Sequence, residues 1–224
     1  MLGKKSRNSG WQASLPFTKK GGVRRGAGRK KCKDSGVSHC KRAKFAKSYP
    51  VHVTVRLQKG FRSLRRVEEY AVLKRCFEAG RDRGGFRLVH YSVQATHLHL
   101  LVEAQDRVAL SRGLQGLLVR IAKGLNRLWK RGGTVFADRY HDHVLRTPRE
   151  VRNALAYVLN NARHHGALGH ELYDMYASGG RFDGWKEQPK FKEGAWIPIT
   201  KARTWLMKLG WRKHRLISLL ETPG

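Results

Sequence analysis

The stretch HYSVQATHLHLLVEA, residues 90–104, contains an apolar run that reads as a buried strand, interrupted by His97 and His99 one residue apart. Side chains alternate along a strand, so Leu98, Leu100 and Val102 face one way while His97, His99, Leu101 and Glu103 face the other. The leucine face is expected to meet helices. The other face carries two imidazoles close enough to share one cation, although such a pair also has a plainer reading as two packing histidines with hydrogen-bond partners. What covers that face decides between the two.

Outward from this strand the pattern is regular. Upstream, VHVTVRL alternates Val51, Val53, Val55 and Leu57 with polar residues as a half-buried strand requires. Ser63 is a candidate cap for a helix running to Gly80, with Val67, Ala71, Cys76 and Phe77 on its inner side. GFRLVHYSVQ gives a second strand, turning near Ala95 and Thr96 into the histidine strand. A long amphipathic helix follows from Arg107 to Lys130, with Leu110, Leu114, Leu117, Ile121, Leu125 and Leu128 spaced three or four apart. HDHVLR reads as a fourth strand, and a last helix spans Pro148 to His165. The order strand, helix, strand, strand, helix, strand is the split arrangement of an α+β, ferredoxin-like antiparallel sheet, with the last helix as an addition.

That helix is the element expected to cover the histidines. Thr147 as N-cap, Pro148 at the first helical position and Glu150 three residues after the cap form a capping box. Val151, Ala154, Leu155, Val158 and Ala162 make a core stripe, and Tyr157, Asn161 and His164 form a polar cluster along its flank. Asn160 points away from the stripe, so Asn161 is the better third ligand. Two histidines and an amide oxygen leave positions open on a divalent ion, and a tyrosine one turn away supplies a nucleophile, a combination suited to phosphoryl transfer. A phenol ionises only near pH 10 unless assisted. His164, Arg163 and Arg152 are candidates for that assistance, with Glu103 a further candidate on the histidine strand.

Composition agrees with a polyanionic partner. The 224 residues carry 47 Lys and Arg against 16 Asp and Glu, a formal net charge of +31, which opposes compaction unless neutralised and makes nucleic acid the first partner to consider. No stretch approaches the ~18 consecutive apolar residues of a membrane span, and the N-terminus lacks a signal-like apolar core, so a cytoplasmic, nucleoid-associated protein is expected. Residues 1–48 hold roughly fifteen basic residues and one acidic, a composition expected to form a disordered, phosphate-binding arm. Residues 49–166 form the expected catalytic domain, and 167–224, with Trp185, Trp196, Trp205 and Trp211, a small appendage in which tryptophan burial is expected. Cys32, Cys40 and Cys76 follow no disulfide or zinc spacing.

The joint occurrence of HLHLLVE, FADRYHDHVLR and REVRNALAYVLNNARHHG resembles the HUH-type single-tyrosine transposases of the insertion-sequence class, most closely the REP-associated tyrosine transposases of bacteria. The likeness covers Val51 to Gly166. It implies His97 and His99 as the metal-binding pair for Mg²⁺ or Mn²⁺, Tyr157 as nucleophile and Asn161 as third ligand. It also implies cutting of single-stranded DNA beside imperfect hairpins through a 5′-phosphotyrosine, rejoining by the reverse step, and action within one subunit rather than across a dimer. Where many relatives have proline after the helix asparagine, Ala162 stands here, so the helix is expected to continue to His165.

Arg112, Lys123, Arg127, Lys130 and Arg131 are candidate backbone contacts. An internal rival, Tyr140 with His141 and His143, repeats the H-x-H spacing, but alternation sends Tyr140 to the opposite face from both histidines. Two other functions fit parts of the pattern: a non-catalytic nucleic-acid-binding protein of the same fold, and a nickase of the replication-initiator or relaxase kind.

Overall fold

A computed structural model describes residues 45–164, 166, 168, 172–187, 189, 191 and 196–222. The expected N-terminal arm lies outside the described residues up to position 44, as do Cys32 and Cys40. Phe45 already packs on the core beneath the Arg107 guanidinium, so structure begins ahead of position 49.

The strands are β1 (Val51–Arg56), β2 (Asp82–Arg83), β3 (Phe86–Val93), β4 (His97–Ala104) and β5 (His141–Val144). They form one antiparallel sheet in the order β2-β3-β4-β1-β5. Without the two-residue β2, the expected ferredoxin-like α+β arrangement remains. Helices α1 (Val67–Gly80) and α2 (Arg107–Leu128) pack together on one sheet face over Val53, Leu98, Leu100 and Val102, where the first core lies. Leu110, Leu114, Leu117, Ile121 and Leu125 of α2 are fully buried at their expected spacing. Asp106 caps α2 by accepting from the Ala109 N–H at 2.7 Å.

Helix α3 (Pro148–Leu159) lies on the other face, over β3 and β4. Its stripe of Val151, Ala154, Leu155 and Val158 joins Leu101 and Val89 of the sheet and Trp185, Trp211 and Ile217 of the appendage in a second core. The appendage contains 3-10 turns at Ser178–Arg181 and Gly210–His214 and a short helix, α5, at Trp205–Lys208. Trp185 and Trp211 are buried as expected, whereas Trp196 and Trp205 are exposed.

Two helix readings are corrected. Helix α1 starts at Val67, because the Ser63 hydroxyl is engaged in a local turn with the Arg65 N–H; Val67 is consequently exposed, and Val72 and Leu73 join Phe77 inside. The last helix does not run unbroken to His165. It stops at Asn160, and a separate turn, α4 (Asn161–His164), follows. The break has a visible cause: the Asn160 amide donates to the Ser218 and Glu221 carbonyls at 2.9 and 3.0 Å, drawing the backbone towards the appendage.

Candidate active site

The face that β4 turns towards α3 carries the expected pair. The His97 and His99 rings meet edge to face with centroids 4.8 Å apart. His99 is buried, and its Nδ1 lies 3.2 Å from both Thr54 Oγ1 and His52 Nε2 on β1. Tyr157, half-buried on the flank of the α3 stripe, sets its ring edge-on to His99 at 5.1 Å and to His52 at 5.8 Å. The fold therefore gathers a strand histidine pair and a helix tyrosine separated by about sixty positions in sequence, the distance from His97 to Tyr157.

His52 is a residue that the sequence reading passed over. The signal was present: the alternation that buries Val51, Val53 and Val55 sends His52, Thr54 and Arg56 to the histidine face. Burial holds the His52 imidazole down at about 4, helped by repulsion from His143 and His141, so the ring is neutral at physiological pH.

Asn161 opens α4, four positions beyond Tyr157, and is fully buried. Neither its amide oxygen nor its amide nitrogen has a hydrogen-bond partner among the described residues. A buried amide left this way costs about 1–3 kcal/mol, a deficit that a ligand for the oxygen would reduce. Among the described residues, no group of three or more His, Cys, Asp or Glu side chains is placed to hold a metal ion. Among the described residues, a third protein ligand for the His97 and His99 pair would come from another residue type, and the orphaned Asn161 oxygen has the required chemistry.

The supporting candidates have other partners. Glu103 accepts from the Arg203 and Thr204 N–H groups and from the Thr204 hydroxyl, at 2.8–3.1 Å, which seats the start of α5. Arg152 forms a two-pronged pair with Glu221, one prong 2.6 Å long, and Arg163 donates to the Leu219 and Leu172 carbonyls. All three side chains bind the appendage. The His164 side chain lies outside the described residues. Arg112, Lys123 and Arg127 are exposed on α2, in the layer across the sheet from the histidines, and Lys130 and Arg131 just beyond it are exposed as well.

The rival pair is also resolved by register. His141 pairs with Thr54 and His143 with His52, so both occupy the histidine face, exposed on the edge strand. Tyr140 packs against the first core on the opposite side, as alternation requires. The second H-x-H thus borders the site without a tyrosine of its own.

Comparison with solved structures finds the same architecture. A REP-associated tyrosine transposase bound to a REP hairpin superposes with a TM-score of 0.55 over 65% of this chain and 84% of that one, at 15% identity. The fold is that of a REP-associated tyrosine transposase. At 15% identity the likeness is one of fold, and residue roles have to be argued from the side chains themselves. A candidate transposase of Deinococcus radiodurans also matches, at 16% identity over 50% of this chain and 87% of that one, with a TM-score of 0.37. No protein-family model matches the sequence, and no curated protein does. Among the described residues no helix is long and apolar enough to cross a membrane.

Proposed function

We propose that the protein is a transposase-type endonuclease and strand transferase acting on single-stranded DNA beside imperfect hairpins, with Tyr157 as nucleophile. The observation that carries this reading is the seating of the Tyr157 ring against His99, itself 4.8 Å from His97. Packing alone explains one buried histidine. It does not account for a second histidine, a tyrosine and an orphaned amide within one turn of that tyrosine.

His97, His99 and Asn161 would hold Mg²⁺ or Mn²⁺, which supplies Lewis acidity towards a non-bridging phosphate oxygen. The remaining work falls to the chain. The Thr54 hydroxyl and His52 fix the orientation of the His99 ring through its Nδ1, leaving Nε2 as the ligating nitrogen. Tyr157 loses its phenolic proton, its oxygen bonds to phosphorus, and the phosphorus bond to the 3′ oxygen breaks; that oxygen leaves as a 3′-hydroxyl after taking up a proton. The energy of the broken phosphodiester is kept in the phosphotyrosine, so rejoining requires no nucleotide cofactor. Neutral His52 adds no positive charge beside the cation. Action within one subunit, as a monomer, is part of the same proposal.

The test is covalent capture. Wild-type protein incubated with labelled single-stranded hairpin DNA and Mg²⁺ or Mn²⁺ is expected to yield a denaturation-resistant protein–DNA adduct, lost with chelator and in Tyr157→Phe. Equal cleavage by wild type and Tyr157→Phe would rule out the mechanism. Tight, salt-sensitive binding with no adduct and no metal requirement would instead mark a binding protein of the same fold.

A further inference from the structure

The Tyr157 site does not use the second H-x-H pair. His141 and His143 are the two positions of β5 on the histidine face, and both are exposed at the sheet edge. In a chain with 47 Lys and Arg against 11 His, lysine would serve to protect an edge strand, yet imidazole fills both positions. The two alternate residues hold the strand from the other face. The Asp142 carboxylate accepts from the Arg107 guanidinium of α2 at 2.5 Å, and Val144 packs against the first core. Both histidines are therefore presented outward by a strand that is fixed from behind.

The pair has the spacing that chelation needs. Residues two apart on a strand are separated by roughly 6.6 Å along it and point the same way, so two imidazoles can turn their nitrogens onto one ion at about 2.0–2.1 Å each. Register separates this pair from His97 and His99. His141 and His99 both lie opposite Thr54, on either side of β1, and His143 lies opposite His52, so β1 side chains stand between the pairs. Thr54 Oγ1 and His52 Nε2 are directed at His99 Nδ1, 3.2 Å from each. Among the described residues, no third His, Cys, Asp or Glu joins either pair as a metal-binding group. Two imidazoles alone favour a borderline transition metal over Mg²⁺, which prefers oxygen ligands and gives up its water reluctantly.

We propose that His141 and His143 form a second metal site, taking one ion of the Zn²⁺, Ni²⁺ or Cu²⁺ class through two imidazole nitrogens, with water in its remaining positions. The ion is a dication at the sheet edge, on the same side of the sheet as Tyr157. Its binding goes beyond the proposed DNA-cutting function and does not depend on it.

The experiment uses the full chain, stripped with chelator and titrated calorimetrically with Ni²⁺, with and without excess Mg²⁺. His97→Ala is the parent, so that the first pair contributes no chelate. Relative to that parent, adding His141→Gln and His143→Gln together is expected to remove one Ni²⁺ equivalent per chain. Each of the two alone is expected to weaken that equivalent by at least ~10-fold, because the remaining imidazole loses a neighbour bound at high effective concentration. His214→Gln, in the appendage, is the matched control and is expected to leave binding unchanged. Circular dichroism melts establish that the variants fold; the His141 and His143 side chains are exposed. An unchanged stoichiometry and affinity in the His141, His143 double substitution overturns the proposal, as does an equal loss in His214→Gln. Loss of the equivalent in excess Mg²⁺ overturns the assignment to a transition metal. A second measurement leaves the pair intact: in the parent, substoichiometric Ni²⁺ is expected to broaden the His141 and His143 ring proton signals. If those signals stay sharp while the equivalent binds, the ion sits elsewhere and the proposal fails. No DNA and no cleavage enter these readouts, so a failure here and a failure of the Tyr157 adduct assay are distinguishable.

Discussion

At the scale of single residues, the structure places one unmet requirement beside one tuned environment. Asn161 is buried with both amide atoms lacking partners among the described residues. Replacing it by the similarly sized Leu removes the unsatisfied amide, so metal-free Asn161→Leu is expected to be as stable as wild type or up to about 2 kcal/mol more stable, while losing metal-dependent adduct formation. Denaturant midpoints in chelator, set beside adduct yield in Mn²⁺, check both halves; a marked loss of stability would show that the amide has a structural partner instead. His90 provides a pH signature. Burial depresses it to about 4 despite the opposing pull of Asp183, and its Nδ1 meets the Ser178 hydroxyl at 3.0 Å. The unfolded chain takes up a proton there near 6.5, the folded chain only near 4, so between those values the unfolded state binds more protons. Stability is thus full above 6.5 and declines as pH falls towards 4, by roughly 3 kcal/mol at most from this residue. Urea midpoints at pH 7.5 and pH 5 should show the decline, and His90→Gln should reduce it.

At the scale of elements, most of what local pattern carries was legible, the start of α1 excepted, and what depended on distant partners was not. Alternation located β1, β3 and β4, the 3.6-residue period located α2 and α3, and the capping box fixed the start of α3 to the residue. In that box Thr147 Oγ1 accepts from the Glu150 N–H at 3.2 Å, and Glu150 accepts in return from the Thr147 N–H at 3.0 Å. Thr147→Ala is expected to cost about 1 kcal/mol, visible as a lowered denaturation midpoint, and to reduce adduct yield only as far as the start of α3 loosens. By contrast, Glu103 was a candidate for catalysis because its own strand gave no sign that Arg203 and Thr204, about a hundred residues later, would take its carboxylate. The same holds for Arg152 with Glu221 and for the break at Asn160. Helix periodicity cannot signal a stop imposed by carbonyls near the far end of the chain. His52 differs in kind, since its face was readable from the valine alternation, but its meaning required knowing that β1 lies beside β4.

At the scale of the whole molecule, the sheet separates two layers with different tasks. Helices α1 and α2 complete a conventional core on one face. On the other face α3 is enclosed between the sheet and the appendage, so both sides of the tyrosine helix are apolar: Ala156 and Leu159 are buried as well as Val151 and Leu155. A helix held on two sides is poorly suited to swing away from its own sheet. Its outer surface is fastened by the Arg152–Glu221 pair, by Asn160 to Ser218 and Glu221, and by Arg163 to Leu219. The fastening has a genetic counterpart. In enzymes that exchange tyrosine helices between subunits, two dead variants can rescue one another when mixed, because one of the two composite sites receives both intact parts. Here an equimolar mixture of His97→Ala and Tyr157→Phe should yield no adduct at any total concentration, and restored adduct would mean that the helix leaves home. Mutations in such a protein would be strictly non-complementing, each chain succeeding or failing on its own copy.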